Sequence, residues 1–566
     1  MAKVDPLKNL TLKNVLQRSV DLFGDRPALV PVDGEPITYA EFGQKVQEIS
    51  ELLHSQSIVA GDRVAILSEN QPNWGIAYFA ITTIGAIAVP IFPEFVTNAV
   101  QHILRHAGCK AIFVSERLYD KLKDCQSDAL ATVILIDNFA PVPPQTKKDG
   151  LGEAVRERTK EFAIAALRMT GRGAPPEVQE DDTALIIYTS GTTGHSKGVI
   201  LTHKNLVFDA QATTPMVNVT EQDRLLSILP LSHTFESTVG LLCPVMCGAS
   251  VYYLDKPPSA RVLMSAMTKV KPTIMLSVPL VMEKIYKTRV LPQLTRNVFT
   301  RLLNKMAPVR KQLHKLTGKK LLEAFGGELR LLAFGGAALS PEVETFLREA
   351  GFPYTVGYGL TETSPVVTGV DVPKTKYRST GRSLPNVEVK IDKPDPETGE
   401  GEILVRGPIV MQGYYKDPER TQEVLTEDGW FRTGDLGVLD DDQYLYIKGR
   451  LKNLILGPSG ENIYPEEIES IINLSDYVLE SLVFQSQPGQ LVARVYLNYE
   501  KLEAEAVSHR LSESQMGKKI DEILEHLRQQ VNESVPRFSR INKIIEQTEP
   551  FEKTPTQKVK RFLYVN

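Results

Sequence analysis

The sequence predicts an α/β protein. Its large N-terminal domain has two doubly wound, mixed or parallel sheets and a small antiparallel, barrel-like β-unit, and a small α+β domain follows. Three observations predict this. Helical and strand-like segments alternate up to residue 350, which is the rhythm of a parallel sheet with helices on both faces. Near residue 385 the rhythm gives way to short alternating strands separated by Gly, Pro and Asp. Beyond "IKGRLKN", residues 453–566 mix helix and strand again, which places a domain boundary near 450.

The elements follow in order. "TYAEFGQKVQEISELLHSQ" has helical spacing, and "DRVAILSEN" is a short apolar strand. "NWGIAYFAITTIGA" then reads as helix, "AIAVPI" as strand, "FVTNAVQHILRHAG" as helix and "KAIFVS" as strand. A second series runs through "KNLVFDAQATT", "DRLLSILPL", "GASVYYL", "RVLMSAMTKVKPTIMLSVP" and "LRLLAFGGAAL", ending in the helix "SPEVETFLREAG". "NVEVKIDKP", "GEILVRGP" and "YLYIKG" are the strands of the β-unit, and "ESQMGKKIDEILEHLRQQVNESV" is a polar helix. Two uncharged stretches, 70–93 and 237–254, are long enough to suggest membrane spans. Proline, glycine and hydroxyl residues interrupt both, so each is expected to be a buried helix turning into a buried strand.

Composition narrows the function. The chain has 566 residues, 42% of them hydrophobic and 24% charged, with a net charge of −4. That is an ordinary globular balance, with no global case for nucleic-acid binding. Cys109, Cys125, Cys243 and Cys247 show no CxxC spacing and have no His cluster beside them, so reduced thiols are expected. The N-terminal residues lack an apolar core segment, so no signal peptide is indicated and a cytoplasmic location is expected. From Lys284 to Lys320 there are eleven Lys or Arg and no Asp or Glu. Such a run is either a solvated helix face or a surface for an anionic membrane or an acidic protein.

The chemistry centres on "YTSGTTGHSKGV", residues 188–199, directly after the apolar run "DDTALIIYT". Its spacing is not that of the Walker loop, because Gly194 precedes His195 and Lys197 precedes Gly198. Glycines that let backbone N–H groups converge, with Thr and Ser hydroxyls and a lysine, still make a phosphate cradle. The loop is joined by "YGLTETSP" at 358–365, "TGDLG" at 433–437, "IKGRLKN" at 447–453 and "TPTQKVKR" at 554–561.

This ordered set resembles the adenylate-forming, AMP-binding superfamily of acyl-CoA synthetases, peptide-synthetase adenylation domains and beetle luciferase, over nearly the whole chain. It is most similar to the bacterial long-chain fatty acyl-CoA synthetases. The resemblance implies a two-step reaction. A fatty acid carboxylate attacks the α-phosphate of ATP to give an acyl-adenylate and pyrophosphate. A thiol, coenzyme A or an acyl carrier protein, then takes the acyl group and AMP leaves. An adenylate-only ligase and an inactive lipid- or nucleotide-binding relative are the alternatives.

The resemblance also implies roles for particular residues. Thr189, Ser190, Gly191, Thr192, Thr193, Gly194 and Lys197 would hold the departing phosphates. Glu362 and Thr189 would hold Mg²⁺. Gly335, Gly336, Ala337, Tyr358, Gly359 and Thr361 would frame the adenine, and Asp435 with Arg450 the ribose. Lys558 would be the catalytic cation between carboxylate and α-phosphate. His233 would lie near the acyl carboxylate, although a core histidine is the plain alternative. Lys452, in a hinge at 450–452, would separate domain 1–449 from a mobile lid, 453–566, and Gly460 and Asn462 would face the thiol step. Ser196, Gln557 and Leu456 depart from the pattern, but none replaces one of the charged catalytic residues.

Overall fold

The computed structural model describes residues 7–123, 125, 127, 129–142, 177–189, 197–256, 259–295, 306–457, 461–487, 489–509, 512–554 and 559–565. The described residues pack as two compact units. One comprises 7–189, 197–389 and 405–431, and the other 390–404 and 432–565. Packing thus groups most of the small β-sheet with the C-terminal residues, whereas the sequence places the domain boundary near 450. A packing boundary and a pivot need not coincide.

The larger unit holds the two sheets that the alternating segments predict. The first has eight strands, in the order Gly413–Tyr414, Lys197–Thr202, Thr183–Thr189, Ile87–Ile91, Arg63–Leu67, Ala111–Val114, Thr132–Leu135, Ala140–Val142. Its centre is parallel, while Lys197–Thr202, Gly413–Tyr414 and Ala140–Val142 join antiparallel. The second has seven strands, in the order Tyr354–Val356, Leu331–Phe334, Ile274–Ser277, Arg224–Ser227, Ser250–Tyr253, Pro27–Pro31, Ile37–Thr38. The last two come from the N-terminal segment, where the helix–strand rhythm gives no hint of them. Pro27–Pro31 runs parallel to Ser250–Tyr253 and completes the sheet from far away in sequence.

The local reasons are legible. Helix Tyr39–Ser55 starts with a capping box: Glu41 N donates to Thr38 Oγ1, and Glu41 Oε2 accepts from Thr38 N at 2.8 Å. Thr202 and Asn205 do the same for helix His203–Val217. Helix Pro72–Thr83 has no polar face and is buried on all sides from Trp74 to Thr82, then turns into strand Ile87–Ile91. The segment from Glu236 likewise passes through helical turns into the buried strand Ser250–Tyr253. Both uncharged stretches are therefore core elements. No described helix is long and apolar enough to cross a membrane. Cys109, Cys243 and Cys247 are buried free thiols, and Cys125 is a partly buried one.

The smaller unit carries most of a four-stranded sheet, in the order Glu388–Asp392, Gly401–Arg406, Phe431–Leu439, Leu445–Arg450. It also carries a three-stranded sheet, Val478–Gln487, Gln490–Leu497 and Ile541–Gln547. Helices Pro465–Ile472 and Glu513–Ser534 pack on the latter around Ile468, Ile472, Leu527 and Val531. One partly buried ion pair ties its last described residues down. Arg561 Nη1 lies 2.7 and 3.0 Å from the two carboxylate oxygens of Glu469, and Arg561 Nη2 donates to Val483 O at 2.6 Å. Burial raises Glu469 to about 7 against the opposing pull of Arg561.

Removing one partner of a pair this sheltered strands the other charge. Arg561→Ala is expected to destabilise the protein by about 2 kcal/mol in urea denaturation, and Glu469→Gln by clearly less. Equal midpoints for Arg561→Ala and wild type would refute this.

Candidate active site

Of the predicted phosphate-side residues, Thr189, Lys197 and Glu362 meet at one end of the first sheet. Thr189 is the last residue of strand Thr183–Thr189, and Lys197 opens the antiparallel strand Lys197–Thr202, directly opposite it. The turn between them, which holds Ser190, Gly191, Thr192, Thr193 and Gly194, lies outside the described residues. The short strand Gly413–Tyr414 pairs next, with Tyr414 opposite Val199. Glu362 arrives on the 3₁₀ turn Thr361–Thr363, where its backbone oxygen accepts from Met411 N at 2.9 Å.

Tyr414 joins these pieces. Its hydroxyl donates to Glu362 Oε1 at 3.0 Å, and its ring lies 4.8 Å from Lys197 Nζ. Burial, followed by the nearby Glu362 carboxylate, raises the phenol well above its ordinary range. It therefore stays protonated and can serve Glu362 as a donor. One side chain holds both a carboxylate and an ammonium group without letting them neutralise each other directly. Sequence reasoning missed Tyr414. The signal was "QGYYKDP", in which an aromatic residue on a short strand precedes a helix cap, but no spacing rule attaches it to Glu362.

This donor set fits a hard divalent cation bound together with a nucleotide. The described residues contain no cluster of three or more His, Cys, Asp or Glu that could cage a metal by itself. Mg²⁺ characteristically takes one or two protein oxygens plus substrate phosphates. Glu362, with one oxygen oriented by Tyr414, and Thr189 at the strand end would supply that share.

The expected adenine-side residues line the carboxyl ends of the second sheet, where ligands bind in open α/β sheets. Gly335, Gly336 and Ala337 follow strand Leu331–Phe334, with Gly336 and Ala337 exposed. Tyr358 and Gly359 follow strand Tyr354–Val356 and pair antiparallel with Val366–Gly369. A Cβ on Gly359 would sit 1.7 Å from Pro365 O, so only glycine allows this strand to close on its neighbour.

His233 lies beyond the carboxyl end of strand Arg224–Ser227, with its ring edge-on to Phe92 at 5.9 Å. Its Nδ1 accepts from Phe235 N at 3.2 Å, which leaves Nε2 to carry the proton of the neutral ring. The residue is half-buried, not sealed in the core. Phe235 packs against Gly335, and Thr238 Oγ1 donates to Ser364 O at 3.2 Å. The His233 segment thus touches both the Gly335 turn and the chain just after Glu362.

The ribose pair lies in the smaller unit. Asp435 and Arg450 are directly opposite each other on paired strands, with Arg450 Nε 2.9 Å from Asp435 Oδ1. Asp435 is buried, and its N–H donates to Thr433 Oγ1 at 3.0 Å. Lys452 is exposed in the 3₁₀ turn Leu451–Asn453, and Asn462 pairs opposite Leu456. Gly460 and Lys558 lie outside the described residues.

Thr189 and Lys197 at paired strand ends, with Glu362 and Lys197 both against Tyr414, suit the binding of a nucleotide phosphate. The family model for AMP-binding enzymes matches residues 16–415, and the chain belongs to that family. It is similar to a peroxisomal protein named long chain acyl-CoA synthetase 6 from Arabidopsis thaliana, at 31% identity over 88% of this chain and 75% of the relative. It is also similar to the long-chain-fatty-acid–CoA ligase FadD15 of Mycobacterium bovis, at 28% identity over 93% of this chain and 90% of the relative. Among solved structures, ATP-bound MatB from Rhodopseudomonas palustris shares the fold with a TM-score of 0.73 and 24% identity, covering 98% of each chain. An o-succinylbenzoate–CoA synthetase from Bacillus subtilis in complex with ATP and magnesium shares it with a TM-score of 0.72 and 23% identity, covering 97% of this chain and 98% of that one.

Tyr414→Phe removes a hydrogen bond to a charged group, worth about 1.5 kcal/mol. It is expected to raise the Mg²⁺ concentration for half-maximal ATP turnover by roughly tenfold, while Tyr414→Leu, which also uncovers Lys197, does more damage. A Mg²⁺ titration unchanged in both variants would remove Tyr414 from the site.

Proposed function

We propose that the protein is an ATP-dependent fatty acid–coenzyme A ligase that works through an acyl-adenylate. The observation that carries this reading is the convergence of Glu362 and Lys197 on Tyr414 at the end of the glycine-rich strand pair. The long-chain names of the relatives support the choice of acid.

In the first half-reaction a fatty acid carboxylate oxygen bonds to the α-phosphorus of ATP. The bond from that phosphorus to the bridging oxygen breaks, and pyrophosphate leaves. Both reactants are anionic, so their approach needs positive charge and hydrogen-bond donors. Lys197 and the loop hydroxyls receive the leaving phosphates. Glu362 and Thr189 would hold Mg²⁺, which would neutralise phosphate charge. His233 presents its Nε2 proton to the carboxylate. Gly335, Gly336, Ala337, Tyr358 and Gly359 frame the base, Asp435 grips the ribose hydroxyls with Arg450 beside it, and Lys558 bridges carboxylate and α-phosphate. In the second half-reaction the coenzyme A sulfur bonds to the acyl carbon, its proton passes to solvent and AMP departs. Reorientation about Lys452 would exchange Lys558 for a thiol approach past Gly460 and Asn462.

The reading includes peripheral contact with an anionic membrane, where the substrate acids dissolve. Lys284, Arg289, Lys311, Lys315, Lys319 and Lys320 are all exposed, and Leu280, Met306 and Leu316 stand exposed among them. Arg310, by contrast, is engaged by Glu349 at 2.6 Å. Aliphatic tips between cations suit a headgroup layer.

With ATP, Mg²⁺, a panel of fatty acids and coenzyme A, mass spectrometry is expected to show acyl-CoA and AMP. Lys558→Ala should slow adenylate formation by about 10²–10³. Product only with an acyl carrier protein would transfer the reading to a carrier ligase, and no pyrophosphate with any acid would end the enzymatic reading. In flotation, the protein should rise with liposomes containing phosphatidylglycerol and detach in high salt. Equal binding to neutral liposomes at any salt would refute the charged contact.

A further inference from the structure

One carboxyl in the larger unit has no part in the chemistry above. Glu236 is 1% exposed, in the heart of the domain, and opens the π-helical stretch Glu236–Leu242. Such bulges in helical geometry often sit at functional sites. Ser227, the last residue of its strand, donates to Glu236 Oε1 at 2.6 Å. Asn70 Nδ2 donates to Ser227 Oγ at 2.9 Å and to Leu229 O at 2.5 Å, and Asn70 Oδ1 accepts from Leu231 N at 2.9 Å. On the other side, Glu236 N and Ser237 N both donate to His233 O, at 3.1 and 3.0 Å. The segment 228–235 is therefore clamped at one end by Asn70 and at the other by the turn that Glu236 begins, and Ser227 links the two clamps.

The fold makes room for this acid. A Cβ on Gly240 would lie 2.9 Å from Glu236 Cδ, so the carboxyl rests on a glycine where any other residue would displace it. Oε2 is buried without a hydrogen-bond partner among the described residues, as is the Tyr253 hydroxyl. Burial raises the carboxyl to about 8, so at neutral pH it stays largely protonated. A buried, uncharged acid costs stability compared with an apolar residue of the same shape. A leucine would pack there without that cost, so the acid calls for a functional reason.

We propose that Glu236 is a positioning residue for acid activation, fixing through Ser227 and Asn70 the segment that presents His233 to the substrate carboxylate. The inference rests on the reading of His233 as a carboxylate-side residue. Its contacts place it where a small displacement would count: Phe235 of that segment packs on Gly335, and Thr238, in the turn that Glu236 opens, donates to Ser364 O. Misplacing a reacting group by about 1 Å can cost on the order of 10²-fold in rate.

The test is a double-mutant cycle on single-turnover adenylate formation in the full-length protein, with ATP affinity and thermal midpoint measured for each variant. Glu236→Gln keeps the shape and an acceptor for Ser227, with an amide N–H in place of the acid O–H, and should remain within about twofold of wild type. Glu236→Leu keeps the bulk, removes the acceptor, and should slow adenylation by about 10- to 100-fold with ATP affinity unchanged. Added to His233→Ala, it should cost nothing further. Ser227→Ala, a milder change in the same chain of bonds, should slow adenylation in the same direction and serves if Glu236→Leu does not fold. A full rate in Glu236→Leu, a rate in Glu236→Gln as low as in Glu236→Leu, or losses that multiply in the double variant would overturn the proposal. If His233→Ala alone runs at the wild-type rate, the reading of His233 falls and this proposal falls with it. A slow His233→Ala beside an unaffected Glu236→Leu would remove only the role of Glu236.

Discussion

A single tyrosine sets the spacing of opposite charges in the larger unit. Tyr414 contacts both Glu362 and Lys197, giving Glu362 a hydrogen bond and Lys197 the face of a ring. Both charges are held in place, which suits the phosphate and metal roles proposed for them. The arrangement also explains why the first sheet ends in two antiparallel strands. Lys197–Thr202 brings the lysine back beside Thr189, and Gly413–Tyr414 brings the tyrosine beside both. A purely parallel edge would have needed a long crossover for each of these returns.

The second sheet positions the residues proposed for the other reactant groups by simpler means. Its parallel strands deliver Ser227, Phe334 and Val356 to one edge, and the turns beyond them carry His233, Gly335 and Tyr358. The His233 segment ties the two halves of this chemistry together within the unit, packing on Gly335 and bonding to the residue two beyond Glu362. In the smaller unit, Asp435 and Arg450 need no such assembly, because strand pairing alone sets them face to face.

Much of this was legible in the sequence, for identifiable reasons. Period and punctuation located most of the helices and strands named beforehand, since a buried strand such as "KAIFVS" or a capped helix such as Tyr39–Ser55 declares itself locally. Motif order located Lys197, Glu362, Asp435 and Arg450. Contacts made across long sequence distances stayed hidden. Pro27–Pro31 joins a strand more than two hundred residues away, Tyr414 meets a carboxylate 52 residues earlier, and Asn70 reaches 157 residues to Ser227. Glu236 was invisible for a different reason. Nothing in "SHTFESTVG" sets it apart from other acids, and only the packed core reveals it as buried.

The central claim is that the clustered groups serve an adenylation step that is complete before any thiol enters. ATP–pyrophosphate exchange without coenzyme A tests it most directly. Labelled pyrophosphate should enter ATP only when both a fatty acid and Mg²⁺ are present, and Lys197→Ala should abolish the exchange. Exchange that required coenzyme A, or that ran equally well without any fatty acid, would contradict the account.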